Sequence, residues 1–399
     1  MPAALVALMI CVFAIGTTEY VIAGILPEVA ADLGVSVPAA GQLVTAYALT
    51  IVVGGPVLTA LTVRRPRKGL LLALMALFLA GTVLSAVAPS YEALLGGRIV
   101  SALTHGTFFA VTTVVATSMV PPDRAASAIA MVAAGLNLAT ILGVPLGTYI
   151  GQQFGWRATF VVIAALGAVG AAGVAALLPR SEAGSGGVLR AELAVFRRRG
   201  VQLALAMTVF GYAGVFTCLT YIAPLLTEVT GFSGQAVSVL LTLFGVGALV
   251  GNLVAGRLAD RAPMTSLAGV LAALAVVLLL FPLAAGSKVA AVVAVVAFGV
   301  TAFATVPGLQ SRVIAQAEGA PTLAASTNIS AFQLANALGA AIGGWIVSDF
   351  GLTRTGPVGA LLALVGLLIT GYAIAHDRRV ARTTGQGGPT EQVSQPVGA

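Results

Sequence analysis

One acidic side chain sits where a charge is expensive. In Gly16-Thr17-Thr18-Glu19-Tyr20, Glu19 is flanked by apolar runs over residues 3–15 and 21–26. A full charge near the middle of a bilayer costs at least ~3 kcal/mol on insertion scales, so such carboxylates are few and usually have a task. Arg98 is the one other full charge that lies comparably deep in an apolar run. A carboxyl group beside a guanidinium can bind and release a proton as its surroundings change. The same two residues also suit a fixed ion pair between neighbouring spans. His105 follows Arg98 by seven residues, two turns along the same helical face, with Phe108 and Phe109 on the next turn. An imidazole carries protons near neutral pH, and it equally lines a cavity or hydrogen-bonds nearby backbone.

Other chemistries find no residues to carry them. Two histidines, His105 and His376, and two distant cysteines, Cys11 and Cys218, make neither a metal-ligand set nor an activated nucleophile, so no metal and no enzyme are expected. No glycine-rich run ends in Lys-Ser/Thr, which speaks against a nucleotide-driven pump. No cofactor is implied; a proton gradient is the energy source that the deep acid suggests.

The elements that must position these groups follow from composition. The chain has 399 residues, 59% hydrophobic and 8% charged, with a mean hydropathy of +1.04. Soluble domains carry ~25% charged residues, and the apolar runs here are ~20 residues long, the length of a bilayer-crossing helix. The expected fold is an all-α membrane protein with twelve spans at 3–27, 38–62, 69–89, 91–119, 125–151, 157–178, 201–226, 235–258, 265–284, 287–315, 321–347 and 355–376. Glu19 lies eight residues before Pro27 in span one, and Arg98 seven residues after Tyr91 in span four. At 1.5 Å per residue both sit ~10–12 Å below the same surface.

Charge asymmetry sets the orientation. With the N-terminus inside, sixteen of the twenty Lys and Arg residues fall on the cytoplasmic side, which places both termini in the cytoplasm. The positive-inside rule therefore explains the net charge of +7 without any nucleic-acid partner. The expected organisation is a six-helix bundle over 1–178, a cytoplasmic linker at 179–200, a second bundle over 201–376 and a disordered cytoplasmic tail at 377–399.

The two halves repeat at an offset of 196 residues. Leu138-Ala139 falls on Leu334-Ala335, Leu142-Gly143 on Leu338-Gly339, Gly147 on Gly343 and Phe154-Gly155 on Phe350-Gly351. Two pseudo-symmetric halves with a site between them is the layout of a parallel-repeat transporter. The chain resembles the major facilitator superfamily, specifically its twelve-span drug:proton antiporters, in which the arabinose-, purine- and chloramphenicol-efflux permeases of bacteria belong. The carrying residues are Gly16-Thr17-Thr18-Glu19-Tyr20, Arg64-Arg65-Pro66-Arg67-Lys68, Gly97-Arg98, Gly143-Val144-Pro145-Leu146-Gly147 and Gly256-Arg257-Leu258-Ala259-Asp260-Arg261.

The resemblance implies proton coupling through Glu19 and Arg98, export rather than uptake, and a place in the bacterial inner membrane. It associates the Gly143, Pro145 and Gly147 pattern with exchange. It implies a cytoplasmic latch at Asp260 and Arg261; the first-half loop with Arg65 lacks the acid, because Arg64 stands where an aspartate is usual. Polar and aromatic residues at middle depth give the expected substrate cavity: Thr17, Tyr20, Tyr47, His105, Phe108, Phe109, Asn137, Tyr212, Phe216, Tyr221, Gln310, Asn328, Phe332, Gln333 and Asn336. About half of such polar positions serve as interhelical glue. Few cavity charges favour a neutral or weakly charged organic substrate of drug, antibiotic, sugar or purine type. The partners expected are that small molecule, protons and lipid, with a monomer as the default. The rival expectation is a proton-coupled importer or facilitator of a sugar or nucleoside.

Overall fold

The computed structural model describes residues 3–62, 65–121, 124–179, 198–317 and 321–385, and among them there is no strand. Without water, a backbone inside a bilayer must satisfy its N–H and C=O groups within one element, which selects helices. Twelve of them are long and apolar enough to cross a membrane. Span one is Ala3–Tyr20 continued by Ile22–Leu33, span two Val37–Thr62, three Arg67–Ala86 and four Tyr91–Ser118. Span five joins Ala125–Leu138 to Val144–Phe154 through a π turn, Ala139–Gly143, and span six is Trp156–Leu177. Span seven is Arg199–Leu219 followed by two short turns, Ile222–Pro224 and Leu225–Val229. Then come eight Gly234–Arg261, nine Pro263–Ala284, ten Lys288–Gln316, eleven Pro321–Phe350 and twelve Thr355–Gly385.

Two expected boundaries move. Span one runs past Pro27 to Leu33, because the chain breaks at Val21 and kinks at Ile25 (φ −112°, ψ 16°). Pro27 therefore enters just after the kink, where its missing N–H does least harm. Span twelve continues to Gly385, past Asp377, where the disordered tail was expected to begin. Asp377 is held there by Arg312 of span ten, with Nη1 2.8 Å from Oδ2 and Nη2 3.0 Å from Oδ1. Most of the expected linker, 180–197, and the tail beyond 385 lie outside the described residues.

The repeat is visible in the turns. Among the described residues four glycines have positive φ, Gly34, Gly155, Gly231 and Gly351, and Gly155 and Gly351 are partners under the 196-residue offset. All four lie at one end of the bundle, in the loops after spans one, five, seven and eleven. The opposite end carries Arg65, Arg67, Lys68, Arg124, Arg198 and Arg261. Lys68 caps the C-terminus of span six there, donating to the carbonyls of Ala175 (2.7 Å) and Leu178 (2.6 Å).

The halves meet tightly at the glycine-turn end. Tyr221 donates to the carbonyl of Ala340 at 3.1 Å and fills a slot between spans two and eleven. A Cβ at Gly41 would stand 2.0 Å from its hydroxyl, and one at Gly344 2.6 Å. Ser238 of span eight donates to Gln152 of span five at 3.1 Å. Farther along, the same helix faces lose their cover. The face of span two that carries Gln42 continues as Leu49 and Val53, 44% and 65% exposed. The face of span eight that carries Ser238 and Gly245 continues as Leu249, 39% exposed. The halves thus part toward the basic end, leaving a cleft that closes above Glu19.

Within each half, small residues let helices touch backbone to backbone. A Cβ at Gly299 would lie 2.2 Å from the carbonyl oxygen of Phe244, and one at Gly251 2.0 Å from that of Val300. Gly299→Ala should therefore cost about 1–3 kcal/mol through overpacking, a fall of several degrees in the Tm of the purified protein. An unchanged Tm would mean that spans eight and ten are not this close.

Candidate functional site

The site begins with the break in span one. Val21 N bonds Thr17 O at 3.0 Å, but the next amides turn elsewhere: Gly24 N and Ile25 N both reach Val21 O, at 2.9 and 3.3 Å. Carbonyls at a helix C-terminus lack intrahelical donors and carry partial negative charge. Arg98, fully buried, supplies both needs: Nη1 donates to Thr18 O, and Nη2 to Glu19 O at 3.4 Å. Its guanidinium lies over the ring of Tyr47, 4.1 Å from the centroid. Depth reasoning from the sequence brings Glu19 and Arg98 to one level. Their chemistry differs from an ion pair, because the arginine binds the backbone of span one and leaves the carboxylate to others.

The Glu19 carboxylate crosses to the second half. Gln333 Nε2 donates to Oε1 at 2.8 Å and Asn336 Nδ2 to the same oxygen at 3.3 Å. Asn336 Nδ2 is also 3.3 Å from Gln333 Oε1. The two amides stand three residues apart, on one face of span eleven. On its other side, Glu19 Oε2 is 3.5 Å from His105 Nδ1. The imidazole meets Tyr47 edge-on, with centroids 6.3 Å apart. Glu19, His105, Tyr47 and Arg98 therefore close a ring across spans one, two and four.

Six buried polar atoms concentrated here have no hydrogen-bond partner among the described residues: Thr18 Oγ1, Glu19 Oε2, Tyr47 Oη, Arg98 Nε, His105 Nδ1 and Asn336 Oδ1. Leaving such an atom unsatisfied costs about 1–3 kcal/mol. A cluster of them marks a place where protons or ligands, rather than packing, do the satisfying.

Beside the carboxylate lies an aromatic wall from the second half. Tyr212 meets Phe332 edge-on at 4.9 Å and Phe303 edge-on at 6.5 Å, and lies tilted against Phe216 at 6.0 Å. Tyr20 joins it through Phe216, 6.0 Å away. Phe303 and, behind it, Phe244 at 6.1 Å were not anticipated. Both sit in apolar stretches whose only polar neighbours are threonines, Thr242 near Phe244 and Thr301 and Thr305 near Phe303, which do not single them out.

The remaining expected residues are dispersed. Thr17 bonds back to Phe13 O at 2.7 Å and faces span five, where a Cβ at Gly143 would lie 2.1 Å from its hydroxyl. Gly147 faces Val21 and Thr159, and Pro145 is buried just after the π turn. Phe108 and Phe109 join the core of the first half. Asn328 accepts from Thr208 at 2.8 Å, tying span eleven to span seven. Tyr221 belongs to the sealed end. Asn137, Gln310, Arg65 and Arg261 are exposed. The side chain of Asp260 and the whole of Arg64 lie outside the described residues. Among the described residues no three His, Cys, Asp or Glu side chains converge as a metal site.

Arg98→Ala strips the donors from two buried carbonyls, so at ~1–3 kcal/mol each it should lower the Tm by several degrees. Arg98→Lys, which lacks the planar fork, should recover only part of this. An alanine variant as stable as wild type in thermal unfolding would show that the break needs no cap.

Comparison with known proteins agrees with this architecture. Residues 8–343 match the family described as Major Facilitator Superfamily. The chain is 43% identical over 366 residues to the inner membrane transport protein YdhP of Escherichia coli (strain K12), covering 92% of this chain and 94% of that one. It is 35% identical over 388 residues to the chloramphenicol resistance protein of Streptomyces lividans, covering 96% and 98%. Among solved structures, a bacterial homologue of the human lysosomal transporter Spinster, inward-facing and unoccupied, superposes with a TM-score of 0.77 at 17% identity over 93% of this chain and 96% of that one. The similar proteins are transporters, not enzymes, and the chain belongs to the Major Facilitator Superfamily.

Proposed function

We propose that the chain exports a small, neutral or weakly charged organic molecule in exchange for protons, by alternating access. The observation that carries this reading is that Glu19, on the first half, takes its hydrogen bonds from Gln333 and Asn336 on the second. An ionised carboxylate only accepts, which suits two amide N–H donors; a protonated one must also donate. Proton binding thus changes how firmly the halves hold each other at the base of the cleft. Substrate acts on the same joint, because a molecule lying against Tyr212, Phe216 and Phe332 that donates a hydrogen bond to Glu19 favours the ionised carboxylate and so displaces its proton. Stacking and edge contacts on aromatic faces suit flat or greasy molecules and demand little exact geometry.

The basic end is cytoplasmic by the positive-inside rule, so the cleft opens to the cytoplasm and both termini lie there. The membrane is the bacterial inner membrane, in keeping with the likeness to YdhP. The name of the chloramphenicol resistance protein, a relative over nearly the whole chain, favours export of an antibiotic-like molecule. A monomer suffices, since all the groups named lie on one chain, and the proton gradient is the sole energy source.

Purified protein challenged near neutral pH with a compound panel that includes chloramphenicol should release protons on binding, and Glu19→Gln should abolish the release while retaining binding. Proton release unchanged by the substitution would overturn the role of Glu19. In proteoliposomes, accumulation of the compound in the direction of proton flow would overturn export in favour of uptake.

A further inference from the structure

We infer that His105 is the relay through which the Glu19 proton passes to and from the basic side of the membrane. The inference rests on the proposed proton site and adds a residue and a route to it. Glu19 Oε2 and His105 Nδ1 face each other at 3.5 Å and both are buried; the Tyr20 hydroxyl is the other titratable group that hydrogen-bonds the carboxylate. The other carboxylate oxygen is already occupied by span eleven. Oε2 is therefore the oxygen free to carry a proton, and the nearest base in line with it is the imidazole.

The ring also leads somewhere. Its side chain keeps 6% of its surface exposed although Nδ1 is enclosed. Against it lies a void of about 10 Å³ bounded by Val12, Ile15, Phe108 and Phe109. These residues precede Glu19 on span one and follow His105 on span four, so the void lies on the basic side of the carboxylate. Among the described residues His105 is the one polar side chain bordering it. A proton leaving Glu19 in that direction meets the imidazole first.

The groups around the ring leave it this task. Span one presents Glu19, and span two presents Tyr47, whose ring edge packs on the imidazole. On span four itself Arg98 is committed to the carbonyls of Thr18 and Glu19. Span eleven presents only neutral amides, bound to the carboxylate. In the transfer, the Oε2–H bond breaks and an Nδ1–H bond forms, giving a carboxylate and an imidazolium. The imidazolium then loses its Nε2 proton to a water entering the void beside the ring. The neutral ring left behind carries its proton on Nδ1 and resets by turning over or by running the steps backward.

The test needs no substrate. In proteoliposomes studied by infrared spectroscopy, the C=O stretch of the protonated Glu19 carboxyl is assigned by its loss in Glu19→Gln. Its exchange rate is then followed after switching from H2O to D2O. The relay predicts that His105→Gln and His105→Phe keep the carboxyl band but slow its exchange at least about tenfold, modest against the ~10²–10⁴-fold that a positioned acid–base group supplies. The phenylalanine variant retains an aromatic ring against Tyr47, so a packing role predicts wild-type exchange for it. Equal rates in wild type and both variants would overturn the relay and leave the proton site standing. A wild-type spectrum with no band sensitive to Glu19→Gln between acid and neutral pH would overturn both.

Discussion

A carboxylate held away from water must find donors, and Glu19 finds its two in Gln333 and Asn336, more than three hundred residues away in the chain. Much of the structure can be understood from that constraint. The two halves are each well packed, so they have little reason to move relative to one another except through groups shared between them. A buried hydrogen bond to a charged group is worth about 1.5–3 kcal/mol. That is enough to bias two conformations of similar free energy, and small enough to be reversed by a proton or a bound molecule.

The carboxylate is free to make this contact because Arg98 is occupied elsewhere. By seating its guanidinium on the carbonyls of Thr18 and Glu19, the arginine stabilises a helix end in the middle of span one. It places positive charge at the negative end of a helix dipole. The break turns span one just after Glu19, beside the edge of span eleven. An interrupted helix at a midplane site is tolerated only where its freed backbone groups line a cavity or meet a partner. Here a buried arginine and an aromatic face provide one. Span seven is interrupted too, near Tyr221, but that tyrosine seals the glycine-turn end instead of lining the site.

Close contact between helices gives these groups a rigid frame. Gly55 lies against Gly106 between spans two and four, and its repeat partner Gly251 against Val300 between spans eight and ten. Each half is therefore packed as a unit, which is what the alternating access proposed above requires. A site built from side chains of both units is disturbed by any such motion, which is the condition for coupling.

The twelve spans, the twofold repeat and the depth of Glu19, Arg98 and His105 were legible from residue types alone. Lipid makes them so, because it demands about twenty apolar residues per helix and penalises every exception. The proximity of His105 to Glu19 was also within reach, through the two-turn spacing from Arg98. The partner each polar group chooses was not. Depth is additive along one helix and can be counted, whereas the facing of Glu19 toward Gln333 depends on the rotation of two helices from different halves. Val21 is no helix breaker by type, so the interruption that turns Arg98 from an ion-pair partner into a cap left no mark in the sequence. Asn328 and Asn336 look alike in the chain and lie eight residues apart, yet one ties two helices of the same half while the other holds the carboxylate. Only packing between the halves separates those roles, because it alone decides which face of span eleven meets span one.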